Sequence, residues 1–304
     1  MAPVRQWIEY AGAWFVLHAL GLLPRKAARA VAAGIARLLY ASRPKLARAG
    51  LRNLQLAFPE WTEEKRVETL RCMVRHLGWM LGELSQFPRY MRQRMEDLVP
   101  REGYEHFAAA QARGKGVIFL TGHMSAWELA PFVQARYGDP LHFLVRPIEN
   151  PRVDALVLGY RMLSGNQPID KNQSARAMLR LLREGGTVGI LMDQNTLPEE
   201  GVFVDFFGIP ACTSAGLARI ALRTDCAVVP GYVFWDEALG KYRLHFEPAL
   251  QLVRTGDEEA DVRENTARFT QVVENYARRY PDQWLWVHKR WKTRPPGEPP
   301  LYTP

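Results

Sequence analysis

The sequence predicts an α/β fold, a three-layer unit around a central sheet, preceded by helical segments. Two observations carry the prediction. Beyond about residue 100, short apolar runs at 117–121, 141–146, 187–192, 226–234 and 242–247 alternate with helix-like stretches at 174–184, 213–223 and 261–280, the pattern of strands and helices in a layered α/β unit. The chain has 304 residues, 47% of them hydrophobic, enough to bury a full core; one large domain with appendages fits that length better than two equal ones.

The N-terminal elements read differently. Residues 7–23 are mostly apolar, but they contain Glu9 and His18 and stop at Pro24, so they make a marginal membrane helix. From Arg25 to Pro59 there is no acidic residue, while Arg25, Lys26, Arg29, Arg37, Arg43, Lys45, Arg48 and Arg52 are all basic. On a helical wheel Arg25, Lys26, Arg29 and Arg37 fall within an arc of about 120°, which predicts an interfacial helix laid on anionic lipid, with the cytoplasm on this side. A solvated face on a soluble helix is the alternative. Residues 62–84 form an amphipathic helix with Thr62 at its N-cap, most simply core packing. The chain therefore divides into a membrane-anchoring helix over 1–24, basic interfacial and amphipathic helices over 25–100, an α/β domain over 101–294 and a proline-rich tail over 295–304.

Composition narrows the chemistry. A net charge of +8 implies an anionic partner or surface. Three widely spaced cysteines, Cys72, Cys212 and Cys226, have neither disulfide nor zinc spacing and suit a reducing compartment. The sequence lacks G-x-S-x-G, a Walker A loop, G-x-G-x-x-G and H-E-x-x-H, which disfavours a serine hydrolase, a P-loop enzyme, a dinucleotide binder and a zinc protease.

The most informative motif is His123 with Glu128 five positions on, directly after the buried-strand run Val117–Thr121. A histidine at a strand's carboxyl end stands where open α/β sheets place ligands, and it can take a proton from an attacking hydroxyl if an acceptor holds its other nitrogen. Glu128 is the candidate holder. Ser125 and Glu128 also spell a capping box, which would make Glu128 a plain helix-capping residue. Arg146 at the next strand end and Arg161 beyond it are guanidinium forks suited to phosphate or carboxylate, and Asp193-Gln194-Asn195 follows the strand at 187–192. Gly208–Ser214 reads as the entry to a helix. The stretch from Trp284 to Arg294 mixes three tryptophans with four cations, as a lipid interface or a base-stacking surface would. The basic run adjoins the apolar N-terminus, which favours membrane over nucleic acid.

In order along the chain, Gly122-His123 with Glu128, Arg146-Pro147, Asn150-Pro151, Arg161, Asp170-Lys171, Asp193-Gln194-Asn195, Phe203-Val204-Asp205-Phe206-Phe207-Gly208 and Trp286-Val287-His288-Lys289-Arg290 resemble the lipid A biosynthesis acyltransferases, the lauroyl and myristoyl transferases of lipopolysaccharide assembly. The resemblance implies a glycerol-phosphate-acyltransferase-like fold with a central mixed sheet and an N-terminal membrane helix. It implies acyl carrier protein and a lipid A precursor as partners, anionic lipids underneath, no nucleic acid, no metal and no dissociable cofactor, at the cytoplasmic face of the inner membrane. His123 becomes the general base, Glu128 its orienting partner, and Arg146, Arg161, Asp193 and Asn195 substrate-binding residues. Another glycolipid or phospholipid acceptor, or a membrane-associated lipid or thioester hydrolase, is the alternative.

Overall fold

The computed structural model describes residues 2–145, 147–169 and 174–302. Among the described residues nine strands are formed: β1 (Arg101–Glu102), β2 (Val117–Thr121), β3 (His142–Leu144), β4 (Gln167–Ile169), β5 (Thr187–Leu191), β6 (Gly201–Phe206), β7 (Ile209–Ser214), β8 (Ala227–Asp236) and β9 (Lys241–Phe246). Seven make one mostly parallel sheet in the order β1-β9-β8-β2-β5-β3-β4, and β6 and β7 form a separate hairpin. Strands β8, β2, β5, β3 and β4 are parallel, while β9 runs against β8. β2 is buried along its whole length because both faces of the sheet are covered. Ile118 and Leu120 pack into the cluster containing the helices Gly216–Thr224 and Glu258–Arg279, and Val117 and Phe119 into the one beneath Leu129–Arg136.

Adjacent strands β2 and β5 send the chain in opposite directions. After β2 it crosses one face of the sheet through Leu129–Arg136 to β3. After β5 it leaves through the β6–β7 hairpin and crosses the other face through Gly216–Thr224 to β8. The carboxyl ends of β2 and β5 therefore flank a topological switch point, where open α/β sheets leave a crevice. Their register pairs Thr121 with Leu191, so positions 123 and 193 emerge side by side.

Among the described residues four long helices lie ahead of the sheet, α1 (Ala2–Leu22), α2 (Arg25–Ala41), α3 (Pro44–Ala57) and α4 (Glu63–Ser85), followed by two single-turn helices at Phe87–Tyr90 and Met95–Leu98. The predicted Thr62 cap is present, its hydroxyl accepting from the Lys65 N–H at 3.3 Å. Among the described residues no helix is long and apolar enough to cross a membrane, so the expected membrane-embedded helix is not carried by α1. Instead α1 buries Leu17 and Leu20 and leaves Val4, Trp7, Ile8, Trp14, Phe15 and Leu22 exposed. A distant segment ties it down: Asn150 donates to the Glu9 carboxylate and the Gln6 carbonyl.

The predicted lipid-facing basic stripe of α2 is corrected for two of its four residues, while Lys26 and Arg37 are exposed. Arg25 and Arg29 turn inward to buried Glu83 of α4, Arg25 Nε lying 2.9 Å from Glu83 Oε1, and the Tyr90 hydroxyl donates to the same carboxylate at 2.6 Å. Val31, Leu38 and Leu39 are outside. The helices approach through small residues: a Cβ on Gly78 would stand 2.4 Å from the Ala33 Cα, and one on Gly82 3.0 Å from the Arg29 Cα. That contact fixes which face of α2 is inside.

The segment Gly208–Ser214, read as a helix entry, is the turn and second strand of the hairpin. Phe207 and Gly208 both have positive φ, 56° and 73°, as a tight hairpin turn requires. The Phe207 N–H donates to Glu274 at 2.6 Å, which holds the turn on the last long helix. The proline-rich end folds back on α3, where the Tyr302 hydroxyl donates to Asn53 Oδ1 and Arg52 donates to the Leu301 carbonyl.

Candidate active site

Two residues past the paired ends of β2 and β5, the His123 Nδ1 lies 2.7 Å from Asp193 Oδ1. The same carboxylate accepts the His123 backbone N–H at 2.8 Å and the Trp284 indole N–H at 2.8 Å. Gly122 permits this, since a Cβ there would stand 3.2 Å from Asp193 Oδ2. Burial opposes ionisation of Asp193, yet the imidazole and these donors overcome it and hold the carboxyl at about 2. For His123 burial pulls the other way from its neighbours; Asp193, and after it Glu128, leave the imidazole above its ordinary value. With Nδ1–H donated to the carboxylate, Nε2 is the basic nitrogen, and it has the Gln194 amide 3.3 Å away.

Glu128, predicted to orient the imidazole, is not hydrogen-bonded to it. Arg161 takes it in a two-pronged ion pair, Nε to Oε2 at 2.8 Å and Nη2 to Oε1 at 2.6 Å. Nor does the capping box form. Helix Leu129–Arg136 begins after Glu128, which makes no side-chain cap. Ser125 is buried at φ 48°, a left-handed conformation unusual for a side-chain-bearing residue and of the kind found where a site over-determines the backbone.

That backbone is held by the tryptophan-rich segment. The Leu285 N–H donates to the His123 carbonyl at 3.1 Å, and the Ser125 N–H to the Gln283 carbonyl at 2.6 Å. Neither predicted use of this segment, lipid interface or base stacking, fits its packing, because Trp284, Trp286 and Trp291 are fully buried. Arg290 is also buried, donating to the Cys212 carbonyl at 2.9 Å and to the Thr213 hydroxyl, and burial lowers it to about 10 against the opposing pull of Asp193. His288, pushed down to about 4 by burial and held neutral, accepts the Asn195 N–H at 3.0 Å.

These contacts move two predicted substrate residues into the scaffold. Asp193 is 3% exposed and serves the imidazole. Asn195 pairs with Thr293, giving its amide to the hydroxyl and accepting the backbone N–H, so it ties the C-terminal segment to the β5 end. Arg146 lies outside the described residues.

Beside the imidazole a cavity of about 250 Å³ lies over the β2–β5–β3 face of the sheet. Trp127, Glu128 and Arg161 stand with His123 at its polar end, and Phe119, Leu141, Phe143 and Leu191 line the rest. Gly189 opens it: a side chain at that point of β5 would meet Leu141 at 3.2 Å. Trp127, edge-on to His123 with ring centroids 5.1 Å apart, was missed from sequence, as was the clamp at Gln283–Leu285. No group of three or more His, Cys, Asp or Glu among the described residues is arranged to hold a metal ion.

An imidazole held by a buried carboxylate, at the mouth of an apolar cavity, can accept a proton from a hydroxyl placed next to a hydrocarbon chain. The family model for bacterial lipid A biosynthesis acyltransferases matches residues 2–293, and the chain belongs to that family. It is 28% identical over 303 residues to the lipid A biosynthesis lauroyltransferase of Escherichia coli, covering 98% of this chain and 95% of that one. It is 28% identical over 251 residues to a lipid A biosynthesis acyltransferase of Haemophilus influenzae, covering 81% and 76%. The palmitoleoyltransferase of Escherichia coli is 27% identical over 252 residues, 83% and 80% of the two chains.

Proposed function

We propose that this acyltransferase moves a fatty acyl group from the thioester of acyl carrier protein to a hydroxyl of a lipid A precursor, with His123 as general base and no acyl-enzyme. The observation that carries the proposal is the His123–Asp193 pair opening onto an apolar cavity. Neutral His123 accepts the acceptor's hydroxyl proton at Nε2 as the oxygen attacks the thioester carbonyl. The carbon–sulfur bond then breaks, and the carrier thiolate leaves with the proton returned by the imidazolium. Asp193 fixes the tautomer and steadies the imidazolium. The apolar cavity receives the acyl chain. Arg161, whose Nε and Nη2 are committed to Glu128, offers its remaining nitrogen Nη1 to the polar part of a substrate.

The enzyme works on the cytoplasmic face of the inner membrane. Val4, Trp7, Ile8, Trp14, Phe15 and Leu22 fall within an arc of about 120° on α1, a stripe suited to lie in the interface without crossing it. The excess of positive charge draws both the acidic carrier protein and anionic lipid.

Mass spectrometry of the reaction with acyl carrier proteins of several chain lengths and a lipid A precursor tests this. The expected product is the precursor heavier by one acyl group, formed at a rate that depends on the acceptor. Free fatty acid released at a rate independent of acceptor would overturn the proposal in favour of a thioester hydrolase.

A further inference from the structure

The acid-free run of eight cations between residues 25 and 59 divides into parts with different uses. Arg25 and Arg29 are taken by Glu83. Lys45, Arg48 and Arg52, spaced three or four apart and so on one face of α3, line an open cleft with Lys289, Leu301 and Tyr302. The cleft measures about 590 Å³, and among the described residues no acidic side chain lines it. Among the described residues none of these four cations makes an ion pair.

We propose that this cleft binds a phosphomonoester. Four like charges brought together, with no carboxylate among the described residues that line the cleft, repel one another, and an anion that fills the space between them removes that cost. A phosphomonoester carries close to two negative charges and three strong acceptor oxygens, which suits a mixed set of arginine forks and lysine ammoniums. Part of the cleft is already ordered for the task. Arg52 donates Nε to the Leu301 carbonyl and Nη1 to Gln55, each at 2.9 Å, so its guanidinium is fixed before any ligand arrives. Lys289 Nζ stands 5.5 Å from the Tyr302 ring centroid.

The cleft is joined to the catalytic edge of the sheet. Buried Asn53, on the inner side of α3, donates to the carbonyls of Trp286 and His288, and His288 accepts the N–H of Asn195, two residues beyond Asp193. Lys289 is the next residue. A phosphorylated acceptor held there would be gripped by a wall continuous with the one that holds Asp193. That use rests on the function proposed above, whereas the phosphate site itself does not.

The experiment uses Arg48→Gln, Lys289→Gln and the double variant, positions whose side chains make no hydrogen bond within the described residues, with thermal unfolding checked against the parent. Calorimetry is run with inorganic phosphate, and vesicle co-sedimentation with phosphatidylcholine vesicles containing phosphatidic acid or, at the same mole fraction, phosphatidylglycerol. The double variant is expected to lose about tenfold or more in affinity for phosphate or for phosphatidic acid vesicles, as loss of charge-assisted hydrogen bonds implies. Loss in the calorimetric arm assigns the cleft to free phosphate, and loss confined to phosphatidic acid vesicles assigns it to a lipid headgroup. Equal binding by parent and double variant in both arms overturns the proposal. So does a loss that is the same for phosphatidylglycerol, which would show only general surface charge. If no acyl transfer is detected but the binding loss is found, the functional reading fails while the phosphate site stands.

Discussion

The carboxyl edge of β2 and β5 and the α1–α2 layer both present charged residues next to apolar sequence, and they use them in opposite ways. At the sheet edge, His123 and Asp193 stand where strand direction puts them, at a switch point open to substrate. In the helical layer, Arg25 and Arg29 turn away from the surface because α4 supplies a buried Glu83, and Gly78 and Gly82 let the backbones close around it. A strand end can face only the crevice, whereas a helix can turn either side inward. A charge at the former is therefore a better guide to chemistry than a charged stripe on the latter.

The largest expected effect is at the edge. His123→Ala should lower turnover by about 10²- to 10⁴-fold with thermal stability close to the parent, measured by steady-state transfer and calorimetric unfolding. A loss of only a few fold would erase the contrast between the two regions. In the helical layer the effect should fall on stability instead. Glu83→Ala strands two arginines beneath the surface and should cost about 3–5 kcal/mol in denaturant unfolding. Arg37→Ala, on the exposed side of the same helix, should stay within about 0.5 kcal/mol of the parent. Similar small costs for both variants would mean that the Glu83 cluster is solvated and the stripe faces outward after all.

Much of the fold was legible in residue order. The alternation that placed strands at 117–121 and 187–192 is met by β2 and β5, because parallel strands covered on both faces read as near-continuous apolar runs. The hairpin β6–β7 was not legible, since Phe207 in a left-handed turn gives no Asn-Gly or Asp-Gly signal. At the site, His123 was visible by its strand-end position, but its partner was assigned by closeness in sequence. Five residues on, Glu128 finds Arg161; seventy residues on, Asp193 finds the imidazole, through a register between β2 and β5 that no local pattern encodes. The tryptophans at 284, 286 and 291 misled for the same reason: composition shows an amphipathic segment, and only packing shows that its rings are inside.

The central claim is that Asp193, hydrogen-bonded to the ring, does more than Glu128 to set the basicity of His123. The most direct measurement is the pH dependence of kcat/KM for the parent, for Asp193→Asn, and for Glu128→Gln combined with Arg161→Gln, which removes a mutually neutral pair. Activity requires neutral imidazole, so in the parent the rate should rise with pH through an apparent value above the ordinary 6.5 for histidine. Asp193→Asn removes the charge that favours the imidazolium, so the acid limb should move to lower pH while the plateau falls. The paired substitution should leave the limb close to that of the parent, whatever it does to the plateau. A limb that stays in place in Asp193→Asn and moves in the paired variant would contradict the account.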